Sequence, residues 1–342
     1  MAQYFTERLQ KVFHMIFTSY NQKAAQEGLR QLELIVNNQQ DAVSTDHRAL
    51  RNDISTLLES EIHSKEDALK IANDPEAREL GDAYALLARV YAGPRFTWEE
   101  SNFPEDNMRT YQCLHDSIRR CSPIGNLQAL RINGTITPTV EKDMLISFDD
   151  AFRIVYNYAE QGDAFCQYII GNVFFWRDDD RISLARDMIT PPRLSLAKRI
   201  QQSLQKGSIQ DRLTALQGTV SDDSLQENAT KLAKEWFNKA LDNGLAMFQG
   251  NLRNIYIDEG DFNNARRVAL TAAELGNPTM MLYTGLDCHE HGKFEDAFTW
   301  FTKGAALGQA ESTAELADYY YHFYDTKELR RVIPYDPVKA IG

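Results

Sequence analysis

"LRNIYIDEGDFNNAR" (Leu252–Arg266) and "LDCHEHGKFEDAF" (Leu286–Phe298) contain the same turn written twice. Gly260, Phe262 and Ala265 of the first stretch recur as Gly292, Phe294 and Ala297 of the second, 32 residues on. Gly244, Gly276 and Gly308 keep that interval, as do Ala233, Ala265 and Ala297. Self-similarity at a fixed period of this size marks a repeat architecture. Each period has room for two helices of about three turns. The three glycines suit the left-handed position just past a helix end. Asn277-Pro278 suits an N-cap followed by a first-turn proline. Ala265, Ala269 and Ala272 form a small-residue stripe along which a neighbouring helix can approach closely. A pair of this size cannot bury its own apolar face, so the units must stack. The expected class is all-α.

Composition agrees with an ordered protein: of 342 residues, 43% are hydrophobic, and only 18 are Gly and 10 Pro. The net charge of −12 argues against a nucleic-acid backbone or an anionic membrane as the main partner. Cys113, Cys121, Cys166 and Cys288 lie far apart without metal-knuckle spacing and read as reduced, mostly buried thiols. Glu7, Arg8 and Lys11 interrupt the first apolar stretch, so it does not read as a secretion signal. No run approaches the length of a membrane span. These features together predict a cytoplasmic location.

The pattern is looser upstream. "FDDAFRIVYNYAEQGDAFCQYIIGNVFFW" (Phe148–Trp176) carries a helix, a cap at Gly162 and a second helix, and "GDAYALLARVYAGP" from Gly81 matches its second half. Met108 to Cys121 reads as a following helix. Phe5, Leu9, Val12, Phe13, Ile16 and Phe17 share one helical face; Leu29, Leu32 and Val36 mark a second helix, and Leu50, Ile54 and Leu57 a third. Ser64 to Asp67 has the form of a capping box. The expected organisation is an N-terminal helical region (1–73), divergent repeats with a short insertion (74–178), a basic helical insertion (179–228) and regular repeats (229–342). The short insertion, around Ile132 to Lys142, has Asn133-Gly134 placed for a small hairpin.

These residues resemble Sel1-like repeats, relatives of the tetratricopeptide repeats. The resemblance rests on the W-F-x-K-(A/G) runs at Trp236-Phe237-Lys239-Ala240 and Trp300-Phe301-Lys303-Gly304, on the cap glycines, and on a Leu/Ile-(Gly/Ala)-x-x-(Tyr/Phe) helix. It is strongest over Ala229 to Tyr324 and extends to Phe148–Trp176. The turns "GDFNNA" and "GKFEDA" are shorter than is usual in Sel1-like units, and Arg253 stands where the first helix would carry glycine. The resemblance implies a right-handed α-solenoid and a non-catalytic protein-binding adaptor or scaffold. The alternative is a dedicated inhibitor or immunity-type protein that wraps and blocks one toxin or enzyme.

In such repeats five positions of the first helix line the concave groove. Carried over, they fall on Phe165, Tyr168, Asn172, Phe175 and Trp176, then on Met247, Gly250, Asn254, Ile257 and Asp258. The next two sets are Thr279, Leu282, Leu286, His289 and Glu290, then Glu311, Ala314, Asp318, Tyr321 and His322. The implied partner-binding residues are Phe175, Trp176, Asn254, Ile257, Asp258, Leu286, His289, Asp318, Tyr321 and His322. The competing reading is that half of these positions simply pack against the next helix.

Other chemistry has little support. Cys288, His289 and His291 are zinc-ligand types, but residues two apart on a helix do not face one ion. A core thiol beside two exposed histidines is the expectation there. Asp178-Asp179-Asp180 reads as the solvated start of a loop rather than a cation site. No phosphate-loop, dinucleotide, zinc-protease or nucleophile-elbow string is present. No cofactor, metal or catalytic residue is therefore expected. The basic insertion offers arginines and lysines to an acidic partner, or else forms a solvated face on the solenoid. "YDPVKAIG" reads as the start of another second helix, so the chain is expected to stop inside a repeat. An uncapped aromatic end at Tyr319–Tyr324 would then favour a longer protein or self-association.

Overall fold

The structure, a computed structural model, describes residues 3–41, 64–132, 142–191, 196–209, 212, 221–247, 249–321, 327, 333 and 335–341. Leu50, Ile54, Leu57, the hairpin expected at Asn133-Gly134 and His322 lie outside the described residues. Among these residues the regular elements are all helical. α1 (Glu7–Phe13) runs into a π-helical turn, and α2 (Gln22–Asp41) follows. Helices then come in pairs. α3 (Lys65–Asn73) leads into α4 (Pro75–Tyr91), which pairs with α5 (Asn107–Arg119); α6 (Pro123–Ile132) pairs with α7 (Phe148–Glu160). α8 (Ala164–Phe175) is separated from its partner by α9 (Ser183–Ile189) and α10 (Leu196–Leu204). That partner is α11 (Asp222–Asp242), and the two pack along each other as closely as any pair in the molecule. α12 (Gly250–Asp258) with α13 (Phe262–Glu274), α14 (Pro278–Glu290) with α15 (Phe294–Ala306), and α16 (Ala310–Tyr320) with α17 (Pro337–Ile341) complete the array. The basic insertion therefore lies inside one helix pair, in the position of its turn.

Local sequence explains where helices start and stop. Ser64 caps α3 by accepting from the Asp67 N–H, and Asp163 caps α8 by accepting from the Cys166 N–H. Ser147 and Asp150 form a full capping box on α7. Asn277 caps α14, with Pro278 at its first position. The ends are closed by glycine: Gly276 has φ 101° and Gly308 φ 91°, a left-handed conformation in which a Cβ is strained. After each glycine the next N–H turns back to the last helical turn, Asn277 to Ala272 O at 3.0 Å and Gln309 to Gly304 O at 3.1 Å.

The W-F-x-K run has a physical reason in the structure. Its tryptophan and lysine are three apart on one helix face. The Lys239 ammonium lies 4.0 Å from the centre of the Trp236 ring, and Lys303 lies 4.2 Å from that of Trp300. The phenylalanine of the run packs against a glycine of the preceding helix. A Cβ added at Gly171 would stand 2.6 Å from the Phe237 ring, and one at Gly285 2.5 Å from Phe301. In the unit between them Arg253 replaces that glycine, and Ala269 stands at the place of the phenylalanine. Large meets small in the two outer units, and in the middle one the Arg253 guanidinium lies 4.0 Å from the centre of the Tyr283 ring instead. Gly285→Ala should accordingly cost about 1–3 kcal/mol by overpacking. Shortening the ring with Phe301→Leu should make that Ala cheaper to accommodate, which urea unfolding of both variants and their double would read. Strict additivity of the two losses would refute this pairing.

The N-terminal segment is not peripheral. One continuous core runs from Tyr4 to Met281. Phe5 and Phe13 lie 5.6 and 4.8 Å from Phe165, and the Tyr4 N–H donates to Asp163 at 2.9 Å. Tyr4 also reaches α4 and α6: its hydroxyl bonds Asp82 and accepts from the Ile124 N–H at 3.4 Å. Farther along, the Trp98 Nε1–H donates to Ile16 O at 2.8 Å, and the Tyr20 ring lies over Gly276. The segment thus runs along the edge where α6, α8 and α14 begin.

Two readings of local sequence change here. Asp178 and Asp179 are not solvated: both are buried, Asp178 paired with Arg131 and Asp179 with Arg177 and Arg186. Burial acts to raise the Asp179 carboxyl, but its two guanidinium partners outweigh that and hold it below the usual range. His289 is half-buried rather than exposed, because the Tyr319 hydroxyl holds its Nδ1 at 2.7 Å.

Candidate functional site

The first helix of each pair, here α4, α6, α8 and α12, contributes to one cavity of about 490 Å³. α8 supplies Tyr168, Asn172 and Trp176, and α12 supplies Gly250 at its first position. Four groove positions from two different repeats thus share one wall. Arg89 of α4 and Gln128 and Arg131 of α6 face them. The cavity exists because successive first helices stack side by side while their partners pack behind them.

Its electrostatics are mixed. The Arg89 guanidinium is buried among aromatic rings, 5.5 Å from the centre of Phe165 and 5.7 Å from that of Tyr168. Arg131 spans the rim: it pairs with Asp178 and lies 5.7 Å from the centre of the Trp176 ring. Trp176 remains 51% exposed at this rim. The other described tryptophans are covered: Trp98 and Trp236 are buried and Trp300 is half-buried.

The remaining groove positions are distributed as follows. Phe175 turns away from the cavity toward the core, 6.0 Å from Phe237 and edge-on to Trp176 at 4.8 Å. Ile257 packs on the main core and Leu286 on a second, C-terminal core cluster. Asn254 and Asp258 are exposed, one and two turns beyond Gly250 on α12, and Asp318 is half-buried. Tyr321 is 55% exposed, with its ring 6.0 Å from that of Tyr335. His289 belongs to the α14–α16 contact through Tyr319.

Cys288, His289 and His291 point to three different places. Cys288 packs on the second core cluster, and His291 sits near Arg266 and the Asp287 carbonyl. Among the described residues no three His, Cys, Asp or Glu side chains converge as a metal site, and no helix is long and apolar enough to cross a membrane. Burial pushes the Cys113 and Cys121 thiols up to about 12, so neither is a ready nucleophile.

Sequence reasoning missed Arg89 and Gln128. "GDAYALLARVYAGP" reads as half of a repeat and supplies no groove positions, and Gln128 in "PIGNLQALRI" carries no signal beyond an ordinary polar helix residue.

No protein-family profile matches the chain. No curated protein matches it either. Among solved structures, the chain is similar to a Sel1 repeat protein from Oxalobacter formigenes, at 14% identity and a TM-score of 0.37, over 84% of this chain and 92% of that one.

Proposed function

We propose that the chain is a non-catalytic adaptor that binds another protein with the face formed by its first helices, centred on the cavity at Trp176. The observation that carries this reading is the half-exposed Trp176 at the mouth of a cavity that four successive repeats build. A large aromatic ring beside a pocket is the usual anchor of a protein interface. The groove residues Asn254, Asp258, Asp318 and Tyr321 continue the surface along the array, and the net charge of −12 favours a protein over a nucleic acid. A cytoplasmic location and self-association through Tyr321 and its neighbours belong to the same proposal.

Trp176→Ala should weaken a co-purified partner at least tenfold, about the cost of one interface hot spot. Helicity should be unchanged, because Trp176 caps α8 from outside its last turn. Leu270→Ala, exposed on α13, serves as the control and should bind like the parent. Equal binding by both variants would remove the cavity from the interface. A single partner held at one site favours the inhibitor role, and several exchanging partners the adaptor.

A further inference from the structure

The cavity holds a buried carboxamide that makes no side-chain hydrogen bond among the described residues. Gln128 is 3% exposed and lines the cavity, yet neither its Oε1 nor its Nε2 has a hydrogen-bond partner among the described residues. A buried polar atom without a partner costs roughly 1–3 kcal/mol, and native proteins rarely carry one without a reason. Here two such atoms belong to one side chain. Leu127, Ile169 and Val173 supply apolar wall around it, while Asn172 and Asn251 add two more carboxamides. The volume of about 490 Å³ is in the range of a ligand site.

The chemistry of the carboxamide selects its occupant. An anion would satisfy the Nε2 donors and repel Oε1; a cation would do the reverse. A group that presents a donor beside an acceptor satisfies both. In an extended chain the N–H and C=O of one residue point to the same side, as in a strand pair. The adjacent residues point their side chains to the opposite faces, which provides an apolar group for the wall. A nucleobase edge offers a similar pair, and Arg89 and Arg131 offset Asp178 in the cavity itself, but its phosphates would meet a chain of net charge −12.

We propose that Gln128 reads the main chain of an extended peptide segment of the partner protein. The Gln128 carboxamide, buried in the unliganded chain, turns toward that segment, and one of its residues donates its N–H to Oε1 and accepts from Nε2 through its C=O. An apolar side chain of the same segment lies on Leu127, Ile169 and Val173. This rests on the adaptor reading and adds the form in which the partner enters the cavity.

The test selects random seven-residue peptides on the full chain and synthesises the best binder with blocked ends. Gln128→Met, of similar size and apolar, should weaken that peptide about tenfold or more. N-methylating the peptide amide that contacts Gln128 should weaken the parent protein by a similar factor and Gln128→Met hardly at all. The thermal midpoint of the unliganded Gln128→Met chain should hold or rise, because the variant removes two unsatisfied atoms. A purely structural glutamine would instead lower it. Recovery of no binding peptide, or equal binding by Gln128→Met, overturns the proposal. So does loss in that variant of binding to a single-stranded oligonucleotide rather than to a peptide. If the peptide result fails while Trp176→Ala still releases the partner, the adaptor reading survives and only the role of Gln128 falls.

Discussion

Arg78→Met should destabilise the fold by about 3–5 kcal/mol, the usual cost of breaking a buried ion pair from one side. Arg78 is 0% exposed and Asp82 1%, one helical turn apart on α4. The guanidinium donates to Asp82 at 3.0 Å, to Ala72 O at 2.9 Å and to Tyr4 O at 2.6 Å, so it ties α3 and the N-terminal segment to α4. Burial pushes the Asp82 carboxyl up to about 6, and Arg78, Ser122 and Tyr4 restrain it from going higher. Its folded value thus lies above its ordinary one. The stability it contributes is full below about pH 4 and is lost as pH rises through about 6. Without Arg78 the carboxyl stays neutral to higher pH, so this loss continues further upward in the variant. The deficit of Arg78→Met should therefore be smaller at pH 5 than at pH 8. Urea unfolding at the two values measures it, and an equal deficit at both would contradict this account of Asp82.

The second large effect is expected at Phe13. Phe13→Ala removes a ring that packs 5.6 Å from Phe5, 5.0 Å from Phe17 and 4.8 Å from Phe165. Truncating a buried phenylalanine costs about 3–5 kcal/mol. Lys11→Ala, exposed on the same helix, should stay within about 0.5 kcal/mol of the parent. The two variants together separate loss of docking from loss of helix propensity. A Phe13→Ala chain as stable as Lys11→Ala would mean that the N-terminal segment does not sit on α8 in solution.

Much of the architecture was legible because the repeats punctuate themselves. Gly276 and Gly308 end helices in a conformation that few other residues accept, and the Trp-Lys pairs mark one face of α11 and α15. Phe5, Leu9, Val12, Phe13, Ile16 and Phe17 announced a docked helix, but an apolar stripe does not name its receptor. The receptor is Phe165, which the repeat pattern assigns to the groove but which packs on Phe5 and Phe13. The aspartates at 178 and 179 read as solvated because a run of acids looks so until its cations are placed. Arg131, the partner of Asp178, is far away in sequence, and Arg177 and Arg186 meet Asp179 only through the local fold.

The site was half legible. Groove alignment selected Tyr168, Asn172, Trp176 and Gly250, which the structure brings to one cavity. Phe175 was drawn into the core because it follows Phe174 and faces Phe237. Gln128 carries no signal in the sequence, since what distinguishes it is the lack of a hydrogen-bond partner among the described residues.

The two edges of the array differ in their connections. Four of the crossings from one pair to the next are three residues long, at 120–122, 161–163, 275–277 and 307–309. The connections within pairs include the long excursions 92–106 and 176–221, the first of which reaches back to the N-terminal segment, where Trp98 donates to Ile16 O. The N-terminal segment lies along the short edge, bonded at Ile124 and Asp163 and resting on Gly276. A cord fixed at several points resists stretching but not slackening. Flexing that opens the short edge must break those bonds, and the Trp98–Ile16 bond ties the first long excursion to the same cord. The array should behave as a spring stiffened along that cord, slow to uncoil between α4 and α14.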